Sequence, residues 1–176
     1  MKWSYWWAKI QSWWTRRKSQ EKHSHRKRQN YSKRLSKKLN NIDASNDLEK
    51  FAKSIAYLRK IDPLIFEELI LDAFEKHGYP VKRNYRYTGD GGLDGEVYYA
   101  EQWCGVQCKR YKGHIKTSHV REFRATLERA GRKMGFFIHT GVTPLSARKE
   151  LDSFARDEIK IIIISGQKLI NFISKN

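Results

Sequence analysis

The sequence predicts an α/β fold in which a mixed central β-sheet is flanked by helices and preceded by a helical and basic N-terminal extension. The elements follow one another in the order α-α-β-β-β-α-β-α-β-α, which is typical of a layered helix-and-sheet domain. Four consecutive isoleucines at 161–164 indicate a strand that is covered on both faces. The 176 residues, of which 39% are hydrophobic, suffice for one such domain and an extension.

The first 14 residues are rich in tryptophan, and the spacing of the tryptophans predicts an amphipathic helix over residues 1–14. The segment is too short to span a bilayer and has no secretory signal pattern. Three roles fit it. It could dock on this domain or on a second copy, make a peripheral membrane contact, or stack on unpaired bases.

Residues 15–45 are polar and basic and predict a flexible cationic arm. Residues 1–44 hold 13 Lys and Arg against 2 Asp and Glu, so they carry +11 of the net charge of +17. This charge favours a polyanionic partner, although it does not choose between DNA and RNA. Non-specific phosphate contacts are expected to concentrate in the arm.

Two helices are predicted before the first strand. Asn46 is followed three residues later by a glutamate, a capping-box pattern that opens a helix over 46–60, expected to brace the core. An Asp-Pro pair opens a second helix over 63–77. At about 100° per residue, Glu67 borders the apolar stripe of this helix and Glu68 falls on the opposite side. Glu67 is therefore expected to lean into a site at the edge of the core.

The remaining elements are predicted from alternating and buried apolar runs and from helix caps. Strands are expected at Val81–Tyr87, Leu93–Ala100, Trp103–Tyr111, Met134–His139 and Ile159–Ile164. Helices are expected at 118–131, from Thr143-Pro144 through Phe154, and at Gln167–Ile173. Residues 61–176 thus read as one domain.

The hairpin between the second and third predicted strands carries the chemistry. Its glycine-rich turn, residues 89–95, places Asp94 at the start of one strand, and the next strand carries Gln107 and Lys109 on one face. Phosphodiester hydrolysis needs a cation held by a carboxylate and a group that stabilises developing negative charge. Mg²⁺ prefers oxygen ligands and takes only one or two protein carboxylates. Each piece alone is also an ordinary turn or strand end, but together they predict a metal-dependent phosphodiester hydrolase.

These residues resemble the catalytic domain of Mrr-type restriction endonucleases, which belong to the PD-(D/E)xK nuclease superfamily. The resemblance covers roughly residues 61–173. Its motifs are Phe66-Glu67, Gly78-Tyr79, Thr88-Gly89-Asp90, Gly92-Leu93-Asp94-Gly95 and Gln107-Cys108-Lys109-Arg110-Tyr111. The resemblance implies a restriction-endonuclease-like core and a DNA endonuclease that restricts foreign DNA with Mg²⁺, for which Mn²⁺ is expected to substitute.

Residue by residue, the resemblance makes Asp94 a metal ligand and Lys109 the catalytic lysine. Gln107 stands where the superfamily has its second acid, and Glu67 matches the helix glutamate and supplies the missing negative charge. Both are expected to contribute to the metal site, together with the backbone carbonyl of Cys108. The Cys108 side chain is expected to be a small buried hydrophobe.

Basic residues near the hairpin are predicted to follow DNA phosphates beside the site. They are Lys82, Arg83, Arg86, Arg110 and Lys112. A homodimer is expected if both DNA strands are cut together. The alternative is a non-catalytic nucleic-acid-binding module on the same fold, with or without membrane association.

The two cysteines, Cys104 and Cys108, lie four residues apart on one predicted strand. That spacing separates them by about 13 Å along a strand, which is too far for a disulfide. A reducing cytoplasm is therefore the expected location.

Overall fold

A computed structural model describes residues 26–84, 92–154 and 158–174. Its sheet has five strands in the order β1-β2-β3-β4-β5. The strands are β1 Val81–Arg83, β2 Gly95–Tyr99, β3 Gln102–Lys109, β4 Met134–His139 and β5 Lys160–Ser165. β1, β2 and β3 pair antiparallel, whereas β3, β4 and β5 pair parallel. The predicted mixed α/β sheet is confirmed.

Five helices lie close to their predicted positions, and a sixth, α1, forms where no helix was predicted. They are α1 over residues 26–40, α2 Asp47–Leu58, α3 Pro63–Lys76, α4 Thr117–Arg129, α5 Leu145–Phe154 and α6 Gly166–Ser174. The cap of α2 forms as expected, since Asn46 Oδ1 accepts from Glu49 N at 2.9 Å. The return contact is shifted by one residue, because the Glu49 carboxylate accepts from Ser45 N at 2.8 Å.

Two apolar cores cover the two faces of the sheet. One joins the sheet to α1, α2, α3 and α6, and the other joins it to α4 and α5. The isoleucines of β5 alternate between them, with Ile162 and Ile164 against the first core and Ile161 and Ile163 against the second. The prediction that this strand is covered on both faces is confirmed.

Helix α4 lies unusually close to the sheet, at a point where two glycines are neighbours. Gly105 on β3 pairs with Gly135 on β4. A Cβ on Gly135 would lie 2.6 Å from Leu127 Cδ2 and 2.7 Å from Phe123 Cζ. The absence of side chains at the two glycines therefore makes room for the apolar side chains of α4. This close packing holds α4 against β3, the strand that carries Gln107.

The prediction of a flexible arm was wrong over residues 26–40, which form helix α1. Leu35 and Leu39 are each 2% exposed. The Ser32 hydroxyl donates to the Asp72 carboxylate of α3. A narrow stripe of two leucines and two serines is enough to bury one side of an otherwise basic helix, because six of its seven cationic side chains are exposed.

Glu68 lies opposite the apolar stripe of α3, yet it is buried on the side where α1 packs against α3. Glu68 is only 4% exposed, and its Oε2 accepts from Arg83 Nε at 3.1 Å. The helical periodicity of α3 alone gave no sign of this cover, because the covering element lies outside the predicted domain.

Several predictions fall on residues that the structure does not describe. The tryptophan-rich segment 1–14 lies outside the described residues, as do Arg86 and the start of the glycine-rich turn. The described strand β1 ends at Arg83, whereas the prediction ran to Tyr87. Residues 85–87 are also outside the described residues. None of the described helices combines the length and apolar character needed to cross a membrane.

Candidate active site

Asp94 is held against the third strand by two contacts. Its backbone N donates to Val106 O at 2.8 Å, and its Oδ2 accepts from Cys108 N at 2.6 Å. Burial raises the pKa of Asp94 to about 6, against the opposing effects of the Cys108 N–H and the Lys109 charge. The carboxylate is therefore fixed in position and poorly solvated, as expected for a ligand at the base of a cation site.

Glu67 reaches the same place from helix α3. The helix begins at Pro63, and Asp62 Oδ1 caps it by accepting from Leu64 N at 2.8 Å. Burial, reinforced by the Asp94 charge and opposed by the Lys109 charge, raises the pKa of Glu67 to about 8. The structure thus brings Glu67, Asp94 and Lys109 into one electrostatic unit, as predicted for the site.

Gln107 and Lys109 occupy the same face at the end of β3, as predicted. Gln107 is 9% exposed, and its Nε2 donates to Gly92 O at 2.7 Å. Because the amide nitrogen is committed to that carbonyl, the Oε1 oxygen is the part of the side chain that is directed away from it. Lys109 is exposed, and its backbone carbonyl accepts from Thr140 N at 3.2 Å, which anchors the strand end to β4.

The Cys108 side chain points to the other face of β3 and is 7% exposed in the first core. Burial raises the pKa of its thiol well above the ordinary value, and the nearby Asp94 and Glu67 carboxylates act in the same direction. The expectation of a small buried hydrophobe is met. Cys104 lies in the same core, and both cysteines are free.

The donor set fits a hard divalent cation. The described residues contain no group of three or more His, Cys, Asp or Glu side chains suited to a metal, so a metal here depends on two carboxylates. Mg²⁺ takes one or two protein carboxylates and completes its shell with other oxygens. Burial is the main cause of the raised pKa values of Glu67 and Asp94, and a bound cation would stabilise the charged form of both carboxyl groups.

Of the residues predicted to contact DNA, Arg83 is placed elsewhere by the structure. Its side chain is 9% exposed and pairs with Glu68, with Asp72 at 2.7 Å and with Glu75 at 2.5 Å. Because three carboxylates already neutralise this guanidinium and occupy its donors, it is poorly suited to bind a phosphate. Arg83 therefore ties β1 to α3, and its assignment as a DNA contact was wrong.

The other described residues that were predicted to contact DNA differ in how far their side chains are exposed. Arg110 is half-buried, and its Nη1 donates to the Ile61 carbonyl, which braces the connection between α2 and α3. Lys82 is exposed, with Nζ 3.7 Å from the centre of the Trp103 ring. Lys112 is exposed. Lys82 and Lys112 thus stay predicted DNA contacts.

The structure adds positioning residues that the sequence did not reveal. Asn84 Nδ2 donates to Leu93 O at 2.7 Å, which holds the backbone just before Asp94. His139 pairs in register with Lys109 and is fully buried. Burial lowers the pKa of His139 to about 4. A lone asparagine and a histidine in an apolar run carry no sequence signal for such roles.

The neutral ring of His139 has a defined orientation. Nδ1 accepts from Gly141 N at 3.2 Å, so the ring proton is on Nε2, which donates to Thr143 Oγ1 at 3.1 Å. Thr143 Oγ1 lies 3.0 Å from Ser165 Oγ at the end of β5. This chain of polar contacts joins the ends of β4 and β5 beside the strand that bears Lys109.

Comparison with known proteins identifies a family and a similar solved structure. A family model for the Mrr catalytic domain, described as a restriction endonuclease, matches residues 58–173. Among solved structures, the chain is similar to the MspJI restriction endonuclease in complex with a 27-mer oligonucleotide. The TM-score is 0.53 and the identity 22%, over 75% of this chain and 34% of that chain. The chain thus spans about a third of that protein's length. No curated protein matches it in sequence.

Proposed function

Because the chain belongs to the Mrr restriction endonuclease family, we propose that it is a metal-dependent endonuclease that hydrolyses DNA phosphodiester bonds and acts in the restriction of foreign DNA. The observation that carries the proposal is the convergence of Glu67, Asp94 and Lys109 at the end of β3. Two poorly solvated carboxylates beside a lysine form a site that can hold a cation and stabilise an anionic transition state.

The two carboxylates would hold the cation, with the Gln107 Oε1 and the Cys108 carbonyl as further oxygen donors. Mg²⁺ or Mn²⁺, when bound, would offset the negative charge that builds on the scissile phosphate. The amide carries no charge, so Glu67 supplies the second negative charge that a hard cation requires. The bond from Cys108 N to Asp94 Oδ2 at 2.6 Å keeps that carboxylate in place.

Lys109 provides the fixed positive charge of the site. Its ammonium group can donate to a phosphate oxygen, or to the water that attacks phosphorus, while one P–O ester bond breaks and the leaving oxygen takes up a proton. The anchoring of its backbone carbonyl to Thr140 limits how far the strand end can move. Its position therefore depends on the β3–β4 pairing and not on a loop.

Cleavage of supercoiled plasmid tests the proposal directly. Wild-type protein, Lys109→Ala and the control Lys160→Ala are incubated with Mg²⁺, Mn²⁺ or EDTA. Lys160 is exposed at the start of β5, at the end of the parallel strands opposite Lys109. Nicking or linearisation that requires a metal should fall by roughly 10²–10³-fold in Lys109→Ala and stay unchanged in Lys160→Ala.

Metal binding provides a second readout that does not require turnover. Mn²⁺ titration should show weaker binding in Asp94→Asn and in Glu67→Gln, since each removes one carboxylate. DNA binding without cleavage under Mg²⁺ and Mn²⁺, in protein that still binds Mn²⁺, would instead favour the non-catalytic binding module.

Two further parts of the proposal concern assembly and location. Paired cleavage of both strands calls for a homodimer, which sedimentation with and without duplex DNA would test. A DNA substrate and two buried free cysteines support a reducing, cytoplasmic location. A peripheral membrane contact through residues 1–14 is tested by vesicle flotation of the full chain and of a variant that lacks them.

A further inference from the structure

Helix α1 packs beside α3 and is joined to it by two side-chain contacts. The Ser32 hydroxyl donates to Asp72, and Lys76 Nζ donates to Ser36 Oγ at 2.8 Å. Each contact joins residues that are 40 apart in sequence. Two such contacts, one helical turn apart and with the same offset, require that the two helices run in the same direction.

The outer side of α1 is a band of cations. Residues 26–40 contain seven Lys and Arg and no Asp or Glu. Six of the cations are exposed and define the α1 ridge: Arg26, Lys27, Lys33, Arg34, Lys37 and Lys38. At about 100° per residue, they fall on the side of the helix opposite to Leu35 and Leu39. The ridge is thus held in a fixed orientation by the buried side of the same helix.

The first turn of the ridge lies beside the part of α3 that bears the site. The same offset of 40 residues that joins Ser32 to Asp72 and Ser36 to Lys76 places Arg28 of α1 beside Glu68 of α3. Glu68 is the sequence neighbour of Glu67. One end of the ridge is therefore about one helix diameter, roughly 10 Å, from the catalytic acids, and the ridge extends about 17 Å from there.

We propose that the α1 ridge binds the phosphate backbone of the DNA that enters the site, so that α1 is a substrate-binding element added before the family domain. The inference rests on the proposed function, which makes DNA the polyanion. A surface about 17 Å long faces on the order of ten phosphate charges of a duplex. An interfacial membrane helix would need its apolar side free for lipid, whereas Leu35 and Leu39 are buried in this protein.

The test measures duplex DNA binding by fluorescence anisotropy in EDTA over a series of salt concentrations, with the full chain. The ridge variant carries Lys33→Gln, Arg34→Gln and Lys37→Gln. The control variant carries Arg129→Gln, Lys133→Gln and Lys160→Gln, which removes the same charge from exposed positions at the opposite end of the parallel strands.

The ridge variant should lose roughly 2 to 3 from the slope of log affinity against log salt, because each phosphate contact contributes about 0.9. The control should keep the wild-type slope, and both variants should keep the wild-type melting temperature. Equal slopes in the two variants, or an unchanged slope in the ridge variant, would overturn the proposal. So would an unchanged DNA slope together with lost binding to phosphatidylserine vesicles, which would assign the ridge to a lipid surface.

Plasmid cleavage of the same preparations separates this inference from the proposed function. Loss of slope in the ridge variant, in a protein that cleaves with neither Mg²⁺ nor Mn²⁺, would retain the ridge and reject the nuclease. Normal plasmid cleavage together with an unchanged salt slope in the ridge variant would retain the nuclease and reject the role of the ridge.

Discussion

Glu67→Gln is expected to stabilise the metal-free protein at alkaline pH while it disables the site. In the folded state, burial and the Asp94 charge raise the pKa of Glu67 from 4.5 to about 8. The folded protein thus binds more protons than the unfolded chain between these pH values. The stability that depends on protonated Glu67 is complete below pH 4.5 and is lost as pH rises through about 8.

The size of this loss follows from the pKa values. The pKa rises from 4.5 to about 8, and each unit is worth about 1.4 kcal/mol, so the upper bound is about 5 kcal/mol. Glu67 retains partial contact with solvent, and screening by water brings the expected value to about 2 kcal/mol. Glutamine has nearly the same shape and no charge, so the variant should recover most of that amount.

Urea unfolding in EDTA at pH 5 and pH 8.5 measures the effect. Wild type should be the less stable protein at pH 8.5, and the two should be nearly equal at pH 5. Glu49→Gln is the control, because the bonds from Lys53 and Ser45 lower the pKa of Glu49 to about 2, so removing its charge should give no gain at pH 8.5.

Addition of Mg²⁺ or Mn²⁺ should reverse the order at pH 8.5. A cation at 100 times its dissociation constant stabilises the folded state by about 2.7 kcal/mol, and Glu67→Gln should lose most of that gain. The reasoning fails if Glu67→Gln is no more stable than wild type at pH 8.5 in EDTA, or if it gains as much from the metal.

Three further substitutions have expected outcomes. Gln107→Glu replaces the donor to the Gly92 carbonyl with an anion beside two acids, so the metal-free protein should lose about 1–3 kcal/mol in thermal melts, and more at pH 8 than at pH 5. Arg83→Met leaves three carboxylates without their shared cation and should cost about 3–5 kcal/mol in urea unfolding at pH 7, with an unchanged salt slope for DNA binding. Gly135→Ala forces a Cβ against Leu127 and should cost about 1–3 kcal/mol; if unfolding shows no loss, α4 is not held as closely to the sheet as described.

The candidate site residues could be found in the sequence because their arrangement is local. Gln107 and Lys109 share a face through strand alternation alone, and Asp94 opens the adjacent strand of the same hairpin. Finding Glu67 required one further inference from the sequence, namely that helical periodicity places it at the border of the apolar stripe of α3. In the structure, Glu67, Asp94 and Lys109 lie close enough for their charges to interact.

The failures concern residues whose surroundings are set by distant parts of the chain. Arg83 looked like an exposed strand cation, yet its partners lie on α3. The periodicity of α3 placed Glu68 opposite the apolar stripe, but it carries no information about what packs over that side. Residues 26–40 looked disordered because the charge of the segment masks a stripe of two leucines and two serines.

The sequence by itself determined the mixed sheet, the order of its helices and strands, and the acid, amide and lysine of the hairpin, since periodicity and caps act within a few residues. Only the tertiary structure decided which cations meet carboxylates inside the protein and which face solvent. That choice depends on packing: α1 covers α3, buries Glu68 and Asp72 with Arg83, and leaves six of its own seven cations exposed. The sequence gives the number of charged residues. Which of them form internal ion pairs and which form an exposed cationic surface is decided only when the helices pack.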